Sequence, residues 1–371
     1  MSRTIVDVHV LQTVPPSNLN RDDTGSPKTA IYGGVRRARV SSQAWKRAVR
    51  LSFRDLLSTD DLGERTKRVG EAIAALIAEQ APDLAEQAPA LAAGVLKAAG
   101  IVTKEPKGGG PVESTYLLFL SRRQQENLAK AAIDAARAGS TPDPKLAKAL
   151  ANRDHSIDIA MFGRMVADAT DINVDAAVQV AHAISVHAVD TEFDYFTAVD
   201  DRKEDAQETG AGMIGTVEFN SSTLYRYATI DVDRLHETLG NVEATRRAVE
   251  AFLTAFTTSM PSGKQNTFAN RTLPDAVMVR LRDTQPINLV GAFETPVRAG
   301  ETSGRVKEAA EALAQYTKDV EQAYGHAPVD AWVTHVGERT QALAAVGKAV
   351  TFPELVAAVG GQVATRLGGS A

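Results

Sequence analysis

Strand and helix signals interleave along two separated blocks of the chain, and this order limits the possible folds more than any other sequence feature. Residues 4–13 are rich in β-branched side chains with polar alternation, which predicts a strand. Ser41 or Ser42 is placed to cap a helix that runs to about Leu56. Similar signals resume after residue 150. The interleaved order favours a split βαββαβ fold with insertions over a doubly wound parallel sheet.

The second block predicts a further series of elements before a mostly helical tail that starts at about residue 305. These elements are a buried strand in 155–167, a buried helix at 176–189, one or two strands at 216–232, a helix at 243–260, a loop at 261–274 and a strand at 275–283.

Alanine-rich helical stretches separate the two blocks, from residue 60 to about 150. Turn-forming residues interrupt them at 103–111 and 139–144. This segment reads as a helical insertion or as an independent bundle, and it carries no pattern of catalytic residues.

Composition narrows the class of protein. The 371 residues include no cysteine, which removes disulfides and thiolate metal sites and fits a reducing, cytoplasmic location. No apolar run is long enough to span a bilayer, so no membrane contact is expected. The net charge of −5 argues against a protein that is basic all over, but it permits a basic face.

Such a basic face is predicted between Thr24 and Arg54, where the chain carries no acidic residue. A face built only for solubility normally mixes charges of both signs. The basic residues of this stretch are Lys28, Arg36, Arg37, Arg39, Lys46, Arg47, Arg50 and Arg54. On the predicted helix Lys46 and Arg50 lie one turn apart, whereas Trp45 falls on the apolar face and is expected in the core.

Searches for catalytic patterns find little. The histidines lack the spacing of a helical zinc site, and the chain has neither a P-loop lysine nor a nucleophile elbow. One acidic cluster could hold a metal, although an exposed loop without metal is the favoured interpretation. Its members are Asp190, Asp194, Asp200 and Asp201. We therefore expect no catalytic residue, no metal and no cofactor.

Gly210, Gly212 and Gly215 have the spacing of a dinucleotide-binding fingerprint. That fingerprint requires a buried strand before the turn and a helix after it. Here a polar, acidic segment precedes the glycines and a strand-like segment follows them. The context argues against a nucleotide site and favours a hairpin in which glycines supply positive φ angles.

Several segments resemble the CasC-type backbone subunit of type I-E CRISPR Cascade complexes. Each motif alone is weak, but their order and spacing make chance similarity improbable. The segments are 8–50 with LNRDD and RRARVSSQAWKRAVR, DIAMFGRM at 158–165, AHAISVHAVDTEFDYFTAVDD at 181–201, FNSSTLYRYATID at 219–231, GKQNTF at 263–268 and GAFE at 291–294.

The resemblance implies an α+β fold shaped like a hand. Residues 1–58 and 179–371 would form an RRM-like (ferredoxin-like) palm, residues 59–178 helical fingers, and residues at about 189–219 a long β-hairpin thumb. Copies of the subunit, six in a filament, would stack along a CRISPR guide RNA beside the other Cascade subunits. The thumb would kink the guide, whose remaining bases pair with a target DNA strand, and the subunit would not be a nuclease.

The resemblance also implies the residues that contact RNA, by matching positions of the family motifs. They are Arg21, Lys46, Arg47, Arg50, Arg164, Met165, Phe196, Thr197, Lys264, Gln265 and Arg298. Gly300 stands where the family often has a lysine, which puts the contact next to Arg298 in doubt. For Phe196 a place in the core under the hairpin is an equal alternative.

Two other functions stay open on the sequence. One is a backbone subunit that cleaves target RNA with a divalent metal, as in the related type III complexes, using the acidic cluster. The other is a nucleotide-dependent enzyme that uses Gly210–Gly215.

Overall fold

The α+β fold expected from the sequence is confirmed by the computed structural model, which describes residues 3–107, 109–166, 169–198, 213–301 and 303–368. The strands are β1 (Ile5–Ser17), β2 (Thr29–Tyr32), β3 (Val35–Val40), β4 (Gly63–Thr66), β5 (Thr103–Lys104), β6 (Glu113–Ser114), β7 (Leu118–Ser121), β8 (Val178–Val180), β9 (Ala183–Ser185), β10 (Glu192–Ala198), β11 (Met213–Asp231), β12 (Ala276–Arg282), β13 (Asp330–His335) and β14 (Lys348–Ala349).

The helices are α1 (Ser42–Leu56), α2 (Val69–Gln80), α3 (Ala88–Ala98), α4 (Arg122–Arg137), α5 (Pro144–Ala151), α6 (Ile157–Phe162), α7 (Val232–Leu239), α8 (Val242–Thr258), α9 (Gln265–Phe268), α10 (Gly304–Tyr324) and α11 (Phe352–Gly368). Short 3₁₀ helices lie at Thr59–Asp61, Pro82–Gln87, Thr170–Ile172, Val290–Phe293 and Glu338–Val346. No described helix is long and apolar enough to cross a membrane.

One large mixed sheet dominates the fold. Its strands follow the order β14-β13-β12-β1-β11-β9-β3-β2, and β8 and β10 also pair with β11. Strand β12 runs antiparallel to β1, with Ile5 opposite Arg282 and Leu11 opposite Ala276. The first strand of the chain is therefore held in the middle of the sheet, between β12 and β11. Two small two-stranded sheets, β4-β7 and β5-β6, stand apart from it.

The chain divides into two compact units. The sheet unit comprises Met1–Leu51, Val180–Thr229 and Phe252–Gln362, and the helical unit comprises Ser52–Gln179, Ile230–Ala251 and Val363–Ala371. Helix α7 contacts α6, and Arg247 of α8 bridges Asp61 at 2.7 Å, which explains why residues 230–251 group with the helical unit. The division into palm, fingers and thumb stays a prediction.

The helical unit is built on the alanine-rich stretch, whose small side chains let its helices pack closely. Residues of α2, α3, α4 and α5 share one buried cluster. A capping box starts α4: the Ser121 hydroxyl accepts from the Gln124 amide, and the Gln124 side chain accepts from the Ser121 amide. The predicted helices of this stretch are confirmed, and the short strands β4–β7 were not predicted.

Two predictions in the second block are wrong. The segment 155–167 contains helix α6 rather than a strand, and Gly163 ends this helix at φ +76°. The segment 176–189 forms strands β8 and β9 rather than a helix, because β9 is held between β3 and β11. Short apolar runs do not reveal their period, and pairing with neighbouring strands overrides the helix propensity of alanine.

The other elements of the second block agree with expectation. Strand β11, helix α8 and strand β12 lie where they were predicted, and β11 is a single long strand. The tail is mostly helical, but it also contributes β13 and β14 to the large sheet.

A buried arginine joins three elements of the sheet unit. The Arg226 guanidinium of β11 lies 3.6 Å from the ring centroid of Trp45 in α1 and 4.5 Å from that of Phe256 in α8. It donates to the Gln12 side-chain oxygen and to the Phe256 carbonyl. Burial lowers the pKa of Arg226 to about 9, and no described carboxylate bridges it. Trp45 is fully buried, as its place on the apolar face predicted.

We expect Arg226→Lys to lower the free energy of unfolding by about 2–4 kcal/mol, because an ammonium replaces neither the stacking nor the forked hydrogen bonds. Urea denaturation measures this loss. The matched control is Arg234→Lys on the surface of α7, which should change stability by less than about 0.5 kcal/mol. Equal losses in the two variants would contradict the assigned role.

Candidate nucleic-acid interface

The basic stretch forms a hairpin that leads directly into helix α1. Strands β2 and β3 are joined by Gly33 and Gly34, both at positive φ (58° and 76°), as a tight hairpin turn requires. A Cβ at Gly33 would lie 1.7 Å from the carbonyl oxygen of Glu294, so only glycine allows this turn to rest on the GAFE segment. This hairpin was not predicted, although a Gly-Gly pair between two β-rich runs is a usable hairpin signal.

Arg37 does not belong to the basic surface. Its side chain is fully buried, and its guanidinium donates to the carbonyls of Tyr32, Ser185, Phe293 and Glu294. This arginine therefore binds the hairpin to its surroundings. By contrast, Arg36 is exposed and Arg39 is half-exposed.

The first turn of α1 is held by side chains from distant segments. The Asn20 side-chain oxygen accepts from the Ser41 amide at 2.9 Å, and Nδ1 of His182 accepts from the Ser42 amide at 3.3 Å. The Ser41 hydroxyl accepts from the Ala44 amide, which confirms the predicted cap. Desolvation, together with nearby Arg39 and Lys28, lowers the pKa of His182, so its imidazole stays neutral and able to accept.

Helix α1 presents the predicted RNA-binding residues of the basic stretch. Arg47 is exposed, while Lys46 and Arg50 are half-buried and one helical turn apart. Desolvation lowers the pKa of Lys46, so an anion arriving at its ammonium group would favour the charged form. The opposite, buried side of the same helix carries Trp45 and Val49. Their burial turns the basic side of α1, defined by Lys46, Arg47 and Arg50, away from the core.

Three further predicted residues lie on two loops that touch each other. Arg21 is exposed on the loop after β1, and Lys264 and Gln265 lie at the start of α9. A Cβ at Gly263 would lie 2.3 Å from the Leu19 carbonyl oxygen and 2.6 Å from that of Asn18. An open groove of about 570 Å³ is lined by both Arg21 and Gly263.

Asn18 connects the Arg21 loop to strand β11. Its side-chain amide donates to the Gly25 carbonyl and to the Glu218 carbonyl, both at 2.9 Å, and the residue is buried. One side chain therefore ties the Arg21 loop to β11.

The predicted hairpin at 189–219 has its arms in β10 and β11, which pair antiparallel from Glu192–Phe219 to Ala198–Met213. Gly210 and Gly212 lie outside the described residues. Gly215 lies inside β11 opposite Phe196, and a Cβ there would come within 2.3 Å of the Phe196 ring. Its role is thus to leave room for that ring, and the expectation of a positive φ at this position is wrong. A strand also surrounds it, where a dinucleotide site needs a turn into a helix.

The arms of the hairpin expose aromatic side chains. Phe193, Tyr195 and Phe196 are 66%, 63% and 38% exposed, and Thr197 is exposed next to them. Phe196 is consequently not a core residue. Asp190 and Asp194 are exposed as well, whereas Asp200 and Asp201 lie outside the described residues. Among the described residues no group of three or more acidic or histidine side chains is placed to hold a metal.

Arg298 is exposed and lies just after the GAFE segment. The amide of the preceding residue, Val297, donates to the Val186 carbonyl and holds the backbone there. At Gly300 a Cβ would lie 2.1 Å from the Ser303 hydroxyl oxygen. A lysine at this position would displace Ser303, so the chain departs here from the family pattern in structure as well as in sequence.

In the helical unit the two predicted residues differ sharply. Met165 is 87% exposed, whereas Arg164 is buried. The Arg164 guanidinium donates to the carbonyls of Ile172, Phe119 and Ala151, and burial lowers its pKa to about 10. In the free chain the Arg164 side chain thus holds the loop that presents Met165, and a contact between Arg164 and RNA stays a prediction.

The profile of the CT1975-like protein family matches residues 6–358. The chain belongs to this family. It is also similar to a chain of a "CRISPR RNA-guided surveillance complex, pre-nicking", with a TM-score of 0.83, 36% identity, and coverage of 97% of this chain and 100% of that one. It is similar as well to a chain of a second "CRISPR RNA-guided surveillance complex", with a TM-score of 0.74 and 30% identity. That match covers 96% of this chain and 99% of the other. No curated protein sequence matches. The resemblance found in the motifs is confirmed at the level of CRISPR surveillance complexes.

The sequence did not predict the residues that hold the Arg21 loop and the first turn of α1 in place. Asn18, Asn20 and His182 make the contacts that order the Arg21 loop and the start of α1. The two asparagines carried a usable signal, since asparagine in a turn-rich loop commonly bonds to nearby backbone. His182 carried none, because its partner Ser42 is 140 residues away in sequence.

We expect Gly263→Ala to separate the two loops, since the backbone carbonyls of Leu19 and Asn18 leave no room for a methyl group. Hydrogen exchange of the Asp22 and Lys28 amides, both bonded within the loop, should become faster.

The control is Gly94→Ala in α3, where a Cβ meets no heavy atom within 4 Å. It should leave exchange in the Arg21 loop unchanged and stabilise the protein by about 0.5–1 kcal/mol. Unchanged exchange in Gly263→Ala would show that the two loops are independent.

Proposed function

We propose that this chain is a non-catalytic, CasC-type backbone subunit of a type I-E Cascade complex and binds a CRISPR guide RNA. The observation that carries the proposal is the similarity, over almost the whole of both chains, to chains of CRISPR RNA-guided surveillance complexes. The type I-E assignment rests on the motifs of residues 8–50 and 181–231.

The mode of RNA binding follows from the residues of the sheet unit. Lys46, Arg47 and Arg50 on α1, Arg21 on its loop, and Lys264 beside α9 offer cations to phosphates. Contacts to phosphate carry no sequence information, and a guide-binding subunit must accept any spacer sequence. Arg298 and Gln265 extend this set, and Arg164 and Met165 stay the predicted contacts in the helical unit.

The hairpin of β10 and β11 is the proposed thumb. Its exposed Phe196, supported on Gly215, is placed to stack on a base or to fill the space at a kink, with Thr197 beside it. We propose that the thumb kinks the guide periodically, that six copies stack along it with the other Cascade subunits, and that the unkinked segments pair with target DNA.

The sheet order supports an RRM-like palm. Strands β12, β1, β11 and β9 are adjacent in this order, with α1 following β1 and α8 following β11 in sequence. Two split βαβ units produce such an arrangement, in which the last strand lies beside the first.

A non-catalytic role fits the acidic residues that the structure describes. Asp194 lies opposite Val217 on the hairpin and is exposed, and among the described residues it belongs to no group of three or more potential metal ligands. A metal-dependent nuclease needs carboxylates gathered around its metal.

We expect Lys46→Glu combined with Arg50→Glu to weaken binding of single-stranded RNA of every sequence. Loss of two phosphate contacts should reduce the slope of log K against log salt by roughly 1.4, at about 0.7 per contact. Fluorescence anisotropy over a series of salt concentrations measures both effects.

The matched control is Lys130→Glu combined with Arg137→Glu, two exposed residues of α4 that give the same change in net charge. This variant should bind RNA as the unmodified protein does. If both pairs weakened binding equally, net charge rather than this helix side would be responsible, and the assignment of α1 would fail.

A further inference from the structure

A small polar pocket lies next to the Arg21 groove and has no role in the function proposed above. It is lined by the loop after β1, by β3 and by β11, and its volume is about 20 Å³. A cavity of this size holds a single water-sized group. Leu19 and Asn20 line both the pocket and the groove, so the two lie side by side.

The pocket continues the side of β11 that faces helix α1. Alternate residues of a strand share a face, and Arg226, Leu224, Ser222 and Asn220 follow this spacing. Arg226 stacks on Trp45, and Leu224 belongs to the same buried cluster as Trp45. Toward the thumb the face changes from apolar to polar at Ser222 and Asn220.

Asn220 and Ser222 are each only 7% exposed, and both line the pocket. Neither side chain belongs to the described polar groups that are sealed from solvent without a partner, so their amide and hydroxyl groups stay open to a small polar group in the pocket. Together the two side chains offer both a donor and an acceptor to whatever enters the pocket.

Cations line the same pocket. Lys28 and Arg39 are half-buried there, and the Arg39 guanidinium is held by the Thr29 carbonyl and His182. A ligand that places one small hydroxyl between Asn220 and Ser222 would therefore have positive charge beside it.

We infer that this pocket is a hydroxyl socket for the ribose 2′-OH of a bound RNA strand, and that it makes the chain prefer RNA to DNA. The inference rests on the proposed function. A 2′-hydroxyl is both donor and acceptor, its size matches the pocket, and it lies one sugar away from the phosphates that Lys28 and Arg39 attract. DNA leaves Asn220 and Ser222 unpaired.

The test compares the affinities of the full-length chain for single-stranded RNA and DNA of identical length and base sequence. The unmodified protein should bind RNA more tightly. Asn220→Ala and Ser222→Ala should each weaken RNA binding about fivefold, the equivalent of one net hydrogen bond, and leave DNA binding unchanged. RNA with 2′-O-methyl groups should bind no better than DNA, because the pocket has no room for the methyl group.

Ser221→Ala is the matched control, since Ser221 lies on the opposite face of β11 and should leave both affinities unchanged. Thermal melting checks folding: neither alanine variant removes a hydrogen bond of the free protein, so neither should lower the melting temperature. Equal losses for RNA and DNA, or a preference for RNA that survives in both variants, would overturn the inference.

Failure of the inference is distinguishable from failure of the proposed function. A chain that binds RNA and DNA equally well through Lys46 and Arg50 retains the proposed function without the socket. A chain that binds neither nucleic acid overturns both.

Discussion

The stacking of Arg226 on Trp45 and Phe256 is the contact on which the position of helix α1, with its Lys46, Arg47 and Arg50, depends. It joins the long strand β11 to helix α1, so that the strand leading into the β10–β11 hairpin and the helix carrying Lys46 and Arg50 hold one relative position. An arginine without a carboxylate partner is costly to bury. Here the rings of Trp45 and Phe256 and the oxygens that accept from the guanidinium offset that cost. The resulting contact has a defined direction, which two aliphatic side chains would not provide.

Within each unit, the cationic side chains fall into two groups: buried ones that hold the backbone in place, and exposed ones that are candidates for binding phosphate. Arg37 donates to backbone carbonyls and holds a hairpin in place, and Arg164 donates to backbone carbonyls and to the side chains of Gln124 and Asn152 and holds a loop in place. Glycine plays the complementary part: Gly33, Gly215 and Gly263 each permit a close approach that a methyl group would block. The exposed cations therefore lie on segments whose backbones are held by buried side chains. A fixed backbone suits binding of the regularly spaced phosphates of a nucleic-acid strand.

Sequence patterns predicted the elements whose periodicity is long, namely β1, α1, α8 and β12, and the presence of a helical insertion. They failed at β9, whose three residues carry too little signal and whose structure depends on two distant strands. They also failed to separate buried from exposed arginines, since charge does not reveal which carbonyls converge on a side chain. Family motifs located the candidate interface as a region, whereas the contacts of Asn18 and His182 appear only in the folded chain.

The central claim is that the chain binds a guide RNA as part of a CRISPR surveillance complex. Its most direct test is purification of the chain with its native partners, followed by sequencing of the RNA that copurifies. The account predicts RNAs of uniform length that share repeat-derived ends and differ in the spacer between them. Recovery of no RNA, or of a random sample of cellular transcripts, would contradict it.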